Sequence, residues 1–192
     1  LSPIKSKKEA FLLTVSSTGK LVIAGSDKRG TAYGVMELSR LIGVSPWEWW
    51  ADATPAKKEI FQLPVSYRNM QSPSVEYRGI FINDEDWGLT PWSWQTYEPS
   101  DVKGQIGPKT HERIFELLLR LRANTFWPAM HGCSVPFYFT PGNKEVADKF
   151  GIFIGTSHCE PMMRNTNGEW KRDGVGEYDY VHNSAHVLSF WE

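Results

Sequence analysis

Cysteine is scarce in this 192-residue chain. Cys133 and Cys159 are the only two, too few for a disulfide framework. No run of about 18 apolar residues occurs, so no segment is suited to cross a bilayer as a helix. An excess of one charge is missing as well: 21 Lys and Arg face 22 Asp and Glu. That balance leaves no polybasic field for nucleic acid or an anionic membrane surface. The first residues, LSPIKSKKEA, are basic but lack the apolar stretch of a secretion signal. What the chain does have is tryptophan, nine residues beside ten Phe and seven Tyr. Indoles are costly to expose without purpose, so a sugar, a peptide or another small neutral partner is the class that fits.

With 41% hydrophobic and 22% charged residues the chain is globular and can hold one core or two small ones. Residues 11–15, FLLTV, and 21–25, LVIAG, flank a Ser-Ser-Thr-Gly turn and read as a β-hairpin. Ser26 or Asp27 then caps a helix whose expected inward face is Ala32, Val35, Met36, Leu38, Leu41 and Ile42, stopped at Gly43. A further strand is expected near residues 59–63, in the same sheet. The polar segment 64–73, PVSYRNMQSP, has proline at both ends and reads as a domain boundary. This divides the chain into a small α/β domain, residues 1–66, and a second domain, residues 67–192.

In the second domain the pattern alternates β-α-β-α-β. Strands are expected at 75–83, 125–130 and 152–155, with helices at 110–123 and 143–150. The first helix carries an apolar face of Ile114, Phe115, Leu117, Leu118 and Leu121. Continuous apolar strands joined by helices imply a parallel sheet. Ligands of such sheets sit beyond the carboxyl ends of the strands. There the sequence puts Asn83 and Asp84, then Trp127 and His131, then His158 and Glu160. Three successive strands thus deliver polar or aromatic groups to one rim. A closed (β/α)₈ barrel needs about 200 residues or more, so the barrel is incomplete: a piece of a longer polypeptide is the favoured reading, against an open partial sheet completed by another chain or left with an apolar edge. The last residues, YDYVHNSAHVLSFWE, read as a helix cut off mid-pattern.

Carboxylates beside indoles suit carbohydrate, because flat apolar faces stack on sugar rings while acids bind hydroxyls. Glycoside hydrolysis further needs one protonated acid and one charged base or nucleophile. Asp84 and Glu160 are candidate members, whereas Glu85 and Asp86 read as loop acids. His131, Cys133, His158 and Cys159 do not read as a zinc site, because adjacent His158 and Cys159 point opposite ways on an extended strand. His182 and His186 are four apart on the expected last helix and read as a surface pair. The turn GSDKRGTAYG is not a phosphate loop; Asp27 caps it, with Lys28 and Arg29 as a weaker option for holding a negative group. Trp47, Trp49 and Trp50 read as packing residues, and Trp92 and Trp94 as exposed near a ligand.

The stretches GSDKRGTAYGVMELSRLIGVSPWEWWAD, YRGIFINDEDWGLTPW, NTFWPAMH and GTSHCEPM resemble glycoside hydrolase family 115, the xylan α-1,2-glucuronidases. The first domain alone is also similar to the accessory domain that precedes the barrel in families 67 and 20. The resemblance implies an α/β accessory domain followed by the first three β/α units of an incomplete TIM barrel. It implies removal of glucuronic acid or its 4-O-methyl ether from glucuronoxylan, with inversion and without metal or cofactor. Asn83, Asp84, Trp127, His131 and His158 would line the uronic acid pocket, with Glu160 beside them. The catalytic acid and base would lie on later barrel strands, beyond residue 192, so this piece alone would not turn over. A homodimer of the full-length protein and a periplasmic or extracellular location follow from the same analogy. The alternative is a non-catalytic carbohydrate-binding protein that keeps the rim without the chemistry.

Overall fold

The computed structural model describes residues 3–84 and 86–192. Glu85, read above as a loop acid, lies outside the described residues. The described residues are mixed α/β, with two three-stranded sheets and two compact units. One unit holds the residues up to Arg78 together with Arg113–Asn124, and the other Gly79–Glu112 with Thr125–Glu192.

In the first unit, β1 (Phe11–Val15) and β2 (Leu21–Gly25) form the expected hairpin, Phe11 opposite Gly25 and Val15 opposite Leu21. Gly19 takes the positive φ, +76°, that closes the turn. The third strand is β3 (Arg68–Gln71), antiparallel to β1. It corrects the expectation of a strand at 59–63, where Ile60 is exposed. β3 lies inside the polar segment read as a boundary, because the edge of this sheet needs backbone pairing rather than an apolar pattern. Helix α1 (Lys28–Leu41) is capped by Asp27, whose carboxylate accepts from Gly30 N at 2.8 Å.

The buried face of α1 is Gly30, Tyr33, Gly34 and Glu37, not the apolar set expected. Val35 and Ile42 are exposed. The reason is close approach: a β-carbon on Gly30 would come within 2.3 Å of Ala10 O, and one on Gly34 within 2.7 Å of Ile23. The helix therefore turns its glycines to the sheet, and Tyr33 and Glu37 follow at the same spacing. Glu37 accepts from Arg40 at 2.9 and 2.8 Å, from Asn69 at 2.9 Å and from Arg122. Glu9, likewise buried, accepts from Arg29, Arg78 and Asn124. Arg29 is thus committed to a structural ion pair.

In the second unit β4 (Gly79–Phe81), β5 (Thr125–Trp127) and β6 (Phe153–Ile154) are parallel and adjacent in chain order. All three are shorter than expected. Between β4 and β5 come a short helix α2 (Leu89–Trp92), a π-helical turn (Ser93–Tyr97) and α3 (Pro108–Arg120). The division between the units falls within α3, after Glu112. Ile114, Phe115, Leu117 and Leu118 of α3 are buried, while Leu121, one residue past its end, is exposed. Between β5 and β6 runs α4 (Asn143–Phe150), ended as expected by Gly151 in the left-handed region.

The segment expected as one long terminal helix is helical only as α6 (Ser184–Trp191), after a short α5 (Glu169–Asp173) and a series of turns. His182 and His186 therefore do not share a helix face. His182 bonds Asp179 in a turn, and His186 bonds Asn183 at 2.6 Å. Trp170, Val187 and Phe190 form a small buried cluster here.

Candidate functional site at the strand ends

β4 hands on to the segment Ile82, Asn83, Asp84, and Ile82 N still donates to Trp127 O at 2.9 Å. Asp84 is 7% exposed. Its carboxylate accepts from the backbone N–H of Trp87 at 3.2 Å and from that of Thr90, which folds the loop and starts α2. The Thr90 hydroxyl, also buried, meets the Ser134 hydroxyl at 3.0 Å. The loops that follow β4 and β5 are thereby joined.

β5 contributes Trp127 and, four residues on, His131. Trp127 pairs in register with Phe81, their rings 6.1 Å apart and edge-on. On its other side the indole lies against Gly155, where a β-carbon would come within 2.2 Å of Nε1. Glycine at 155 therefore sets the indole's position, and 40% of Trp127 remains exposed. The imidazole Nε2 of His131 is 3.0 Å from Asn83 Oδ1. A carbonyl oxygen can only accept, so Nε2 carries the hydrogen.

His158 follows β6, its Nδ1 3.1 Å from the Ser157 hydroxyl. Its ring stands edge-on to that of His131 at 6.4 Å. Asn83, His131 and His158 are thus brought together from three strand ends, with Trp127 beside the third. Two expected site residues are built in differently. The side chain of Asp84 is taken up by its own loop. Glu160, 5% exposed, accepts from Asn165 Nδ2 at 2.9 Å. Burial, with some help from the nearby Glu169, pushes the Glu160 carboxyl above its ordinary range.

Sequence reading missed Gly155 and Asn165. A lone glycine one residue past a strand is a known sign of close approach, whereas nothing in the residues around Asn165 distinguishes it from a loop amide. A separate hollow of about 410 Å³ in the first unit is lined in part by Glu9, Tyr33, Arg78 and Arg122. It offers no comparable chemistry, because Arg78 spends its donors on Arg122 O, Val75 O, Glu76 O, Glu9 and Tyr33.

An amide, two imidazoles and an indole face can together bind a polyhydroxylated ring, the indole by stacking and the others by hydrogen bonds. No curated protein sequence matches the chain. Among solved structures, one is 70% identical with a TM-score of 0.94 over the whole of this chain. It is a family 115 4-O-methyl-α-glucuronidase described as having specificity for decorated arabinogalactans. The present chain spans 25% of that protein's length. The profile of glycosyl hydrolase family 115 matches residues 70–192, and together these place the chain in glycosyl hydrolase family 115.

Proposed function

We propose that this chain is part of an α-glucuronidase and forms one wall of the pocket for glucuronic acid or 4-O-methylglucuronic acid. The observation that carries the reading is the meeting of Asn83, His131 and His158 at the carboxyl ends of three parallel strands. That is where sheets of this kind hold ligands. Trp127 supplies the stacking face, and Asn83 and the two imidazoles bind hydroxyl or carboxylate oxygens. Asp84 and Glu160 act from behind this surface, through the loops they hold. The sheet of β1, β2 and β3 with α1 serves as an accessory α/β domain, and the elements carrying β4, β5 and β6 serve as the first three units of a (β/α)₈ barrel.

The bond cleaved is an α-1,2 linkage to glucuronoxylan. Cleavage inverts the anomeric centre, with an acid protonating the leaving oxygen and a base activating water from the opposite face. Both carboxyl groups are supplied by strands that follow residue 192, so the 192-residue piece alone is inactive. A homodimer of the full-length protein, located outside the cytoplasm, belongs to the same proposal.

The test incubates the full reading frame that contains this chain with 4-O-methylglucuronoxylan and, separately, with glucuronic-acid-decorated arabinogalactan. Free uronic acid is measured, and its first-formed anomer is read by proton NMR. Release from xylan as the β-anomer is expected. Release from arabinogalactan alone would move the substrate to the class named for the solved relative. No release from either, with retained binding of glucuronic acid, would make the protein a non-catalytic binder.

A further inference from the structure

The loop that carries His158 is fastened to the loop that carries His131 through one buried amide. Asn165 is 3% exposed and uses every polar group it has. Its Nδ2 donates to Met130 O at 3.2 Å and to Glu160 Oε1 at 2.9 Å. Its Oδ1 accepts from Gly168 N at 2.7 Å, and its backbone N–H donates to Glu169 Oε2 at 3.0 Å. Met130 is the residue before His131, and Glu160 lies two residues after His158. Asn167 adds a second bond to Met130 O at 3.2 Å. Thr166 grips Cys159 O with both its N–H, at 2.9 Å, and its hydroxyl, at 3.0 Å. Thr156 donates to Glu160 O at 2.8 Å. The backbone on both sides of His158 is held.

We propose that Asn165 and the carboxyl of Glu160 are a positioning pair that fixes His158 against His131, and that neither touches the sugar. The surroundings of Glu160 fit this role. Glu169 nearby has its own partner, Arg164, at 2.5 Å, and Tyr138 lies close enough for Glu160 to raise its hydroxyl. Burial and the like charge of Glu169 raise the Glu160 carboxyl, while the bond from Asn165 opposes that shift. The side-chain bond between Glu160 and Asn165 runs inward, and the carboxyl is buried. Supporting residues of this kind set site geometry to within fractions of an ångström.

The inference rests on the reading of the strand ends as a uronic acid pocket, and its test separates the two. In the full-length protein, Glu160→Gln retains an oxygen that accepts from Asn165, whereas Glu160→Ala and Asn165→Ala do not. The imidazole Cε1–H resonances of His131 and His158 are followed by NMR, and kcat/KM for uronic acid release is measured beside them. Glu160→Ala and Asn165→Ala are expected to shift the His158 resonance and lower kcat/KM on the order of 10- to 100-fold. Glu160→Gln is expected to leave the resonances in place and kcat/KM within about 2-fold. A Glu160→Gln protein as impaired as Glu160→Ala overturns the proposal, because the carboxyl would then be acting on substrate. Unmoved histidine resonances in Asn165→Ala and Glu160→Ala overturn it as well. If Asn165→Ala does not fold, Glu160→Ala, which breaks one side-chain bond, decides alone. Should the protein release no uronic acid from any substrate, the resonances still decide on the positioning pair.

Discussion

Trp127 lies flush against Gly155, so close that a β-carbon at 155 would reach within 2.2 Å of the indole nitrogen. Gly155→Ala therefore displaces the indole, while the backbone bond from Gly155 N to Phe126 O, 2.9 Å long, remains possible. Overpacking of this kind costs about 1–3 kcal/mol. The expected outcome is a folded protein with altered tryptophan fluorescence. Its affinity for a glucuronic-acid-bearing oligosaccharide, measured by calorimetry, should be reduced about as far as by Trp127→Ala. Unchanged affinity in Gly155→Ala would remove Trp127 from the sugar-binding surface.

Asp84 invites the opposite reading from the one its sequence context suggests. A carboxylate just past a strand end looks like a ligand group, yet both its oxygens accept backbone N–H groups of the following loop. Asp84→Ala leaves these donors without partners, at a cost of about 1–3 kcal/mol. Faster proteolytic cutting between Asp84 and Leu89 should accompany that loss. Asp84→Asn keeps one accepting oxygen and should fall between. A loop with native protease resistance in Asp84→Ala would contradict this role.

The hairpin of β1 and β2 and the helix α4 were legible because local signals suffice: branched residues around a Gly-containing turn, and a glycine at 151 that ends the helix. β3 was not legible. Its sequence, RNMQ, carries no apolar alternation, since an edge strand is held by its hydrogen bonds to β1. Residues 59–63 are more apolar and form no strand. The inward face of α1 was misjudged because an apolar stripe is visible in sequence, whereas the close approach allowed by Gly30 and Gly34 depends on what stands opposite. At the strand ends, the residue types of the site could be read, but not which carboxyls are turned inward. Burial of Asp84 and Glu160 depends on donors six and five residues further along, Thr90 and Asn165.

Glu37 is the buried charge on the sheet-facing side of α1, and its partners come from three places in the sequence: Arg40, Asn69 and Arg122. Removing Glu37 leaves Asn69 and the partly buried Arg122 without their inward acceptor, which costs about 1–3 kcal/mol. Glu37→Ala should therefore lower stability in urea titration far more than Arg40→Ala, because Arg40 is more than half exposed. Equal losses from the two substitutions would show that the interior pairing with Arg122 and Asn69 contributes little.

His111 and Glu37 should give the protein two separate acid transitions. The His111 ring is enclosed, its Nδ1 hydrogen shared between Gly107 O at 3.0 Å and Asn143 Oδ1 at 3.1 Å. Burial holds its pKa down at about 4, against an ordinary 6.5. A depressed folded value means the neutral ring is favoured by folding, so this stability is complete above pH 6.5 and drains away as pH falls toward 4. At about 1.4 kcal/mol per unit, the loss across that window is about 3 kcal/mol. Glu37, held down first by its bonds to Arg40 and also by Arg122, loses its contribution only as pH falls below 4.5. His111→Gln can still donate a hydrogen bond but cannot take up a proton. Between pH 6.5 and 4.5 the parent should lose stability relative to this variant, the contribution of the raised Glu160 carboxyl being common to both, and both proteins should weaken below that range. A parent that tracks His111→Gln from pH 6.5 to 4.5 would mean that water reaches the ring.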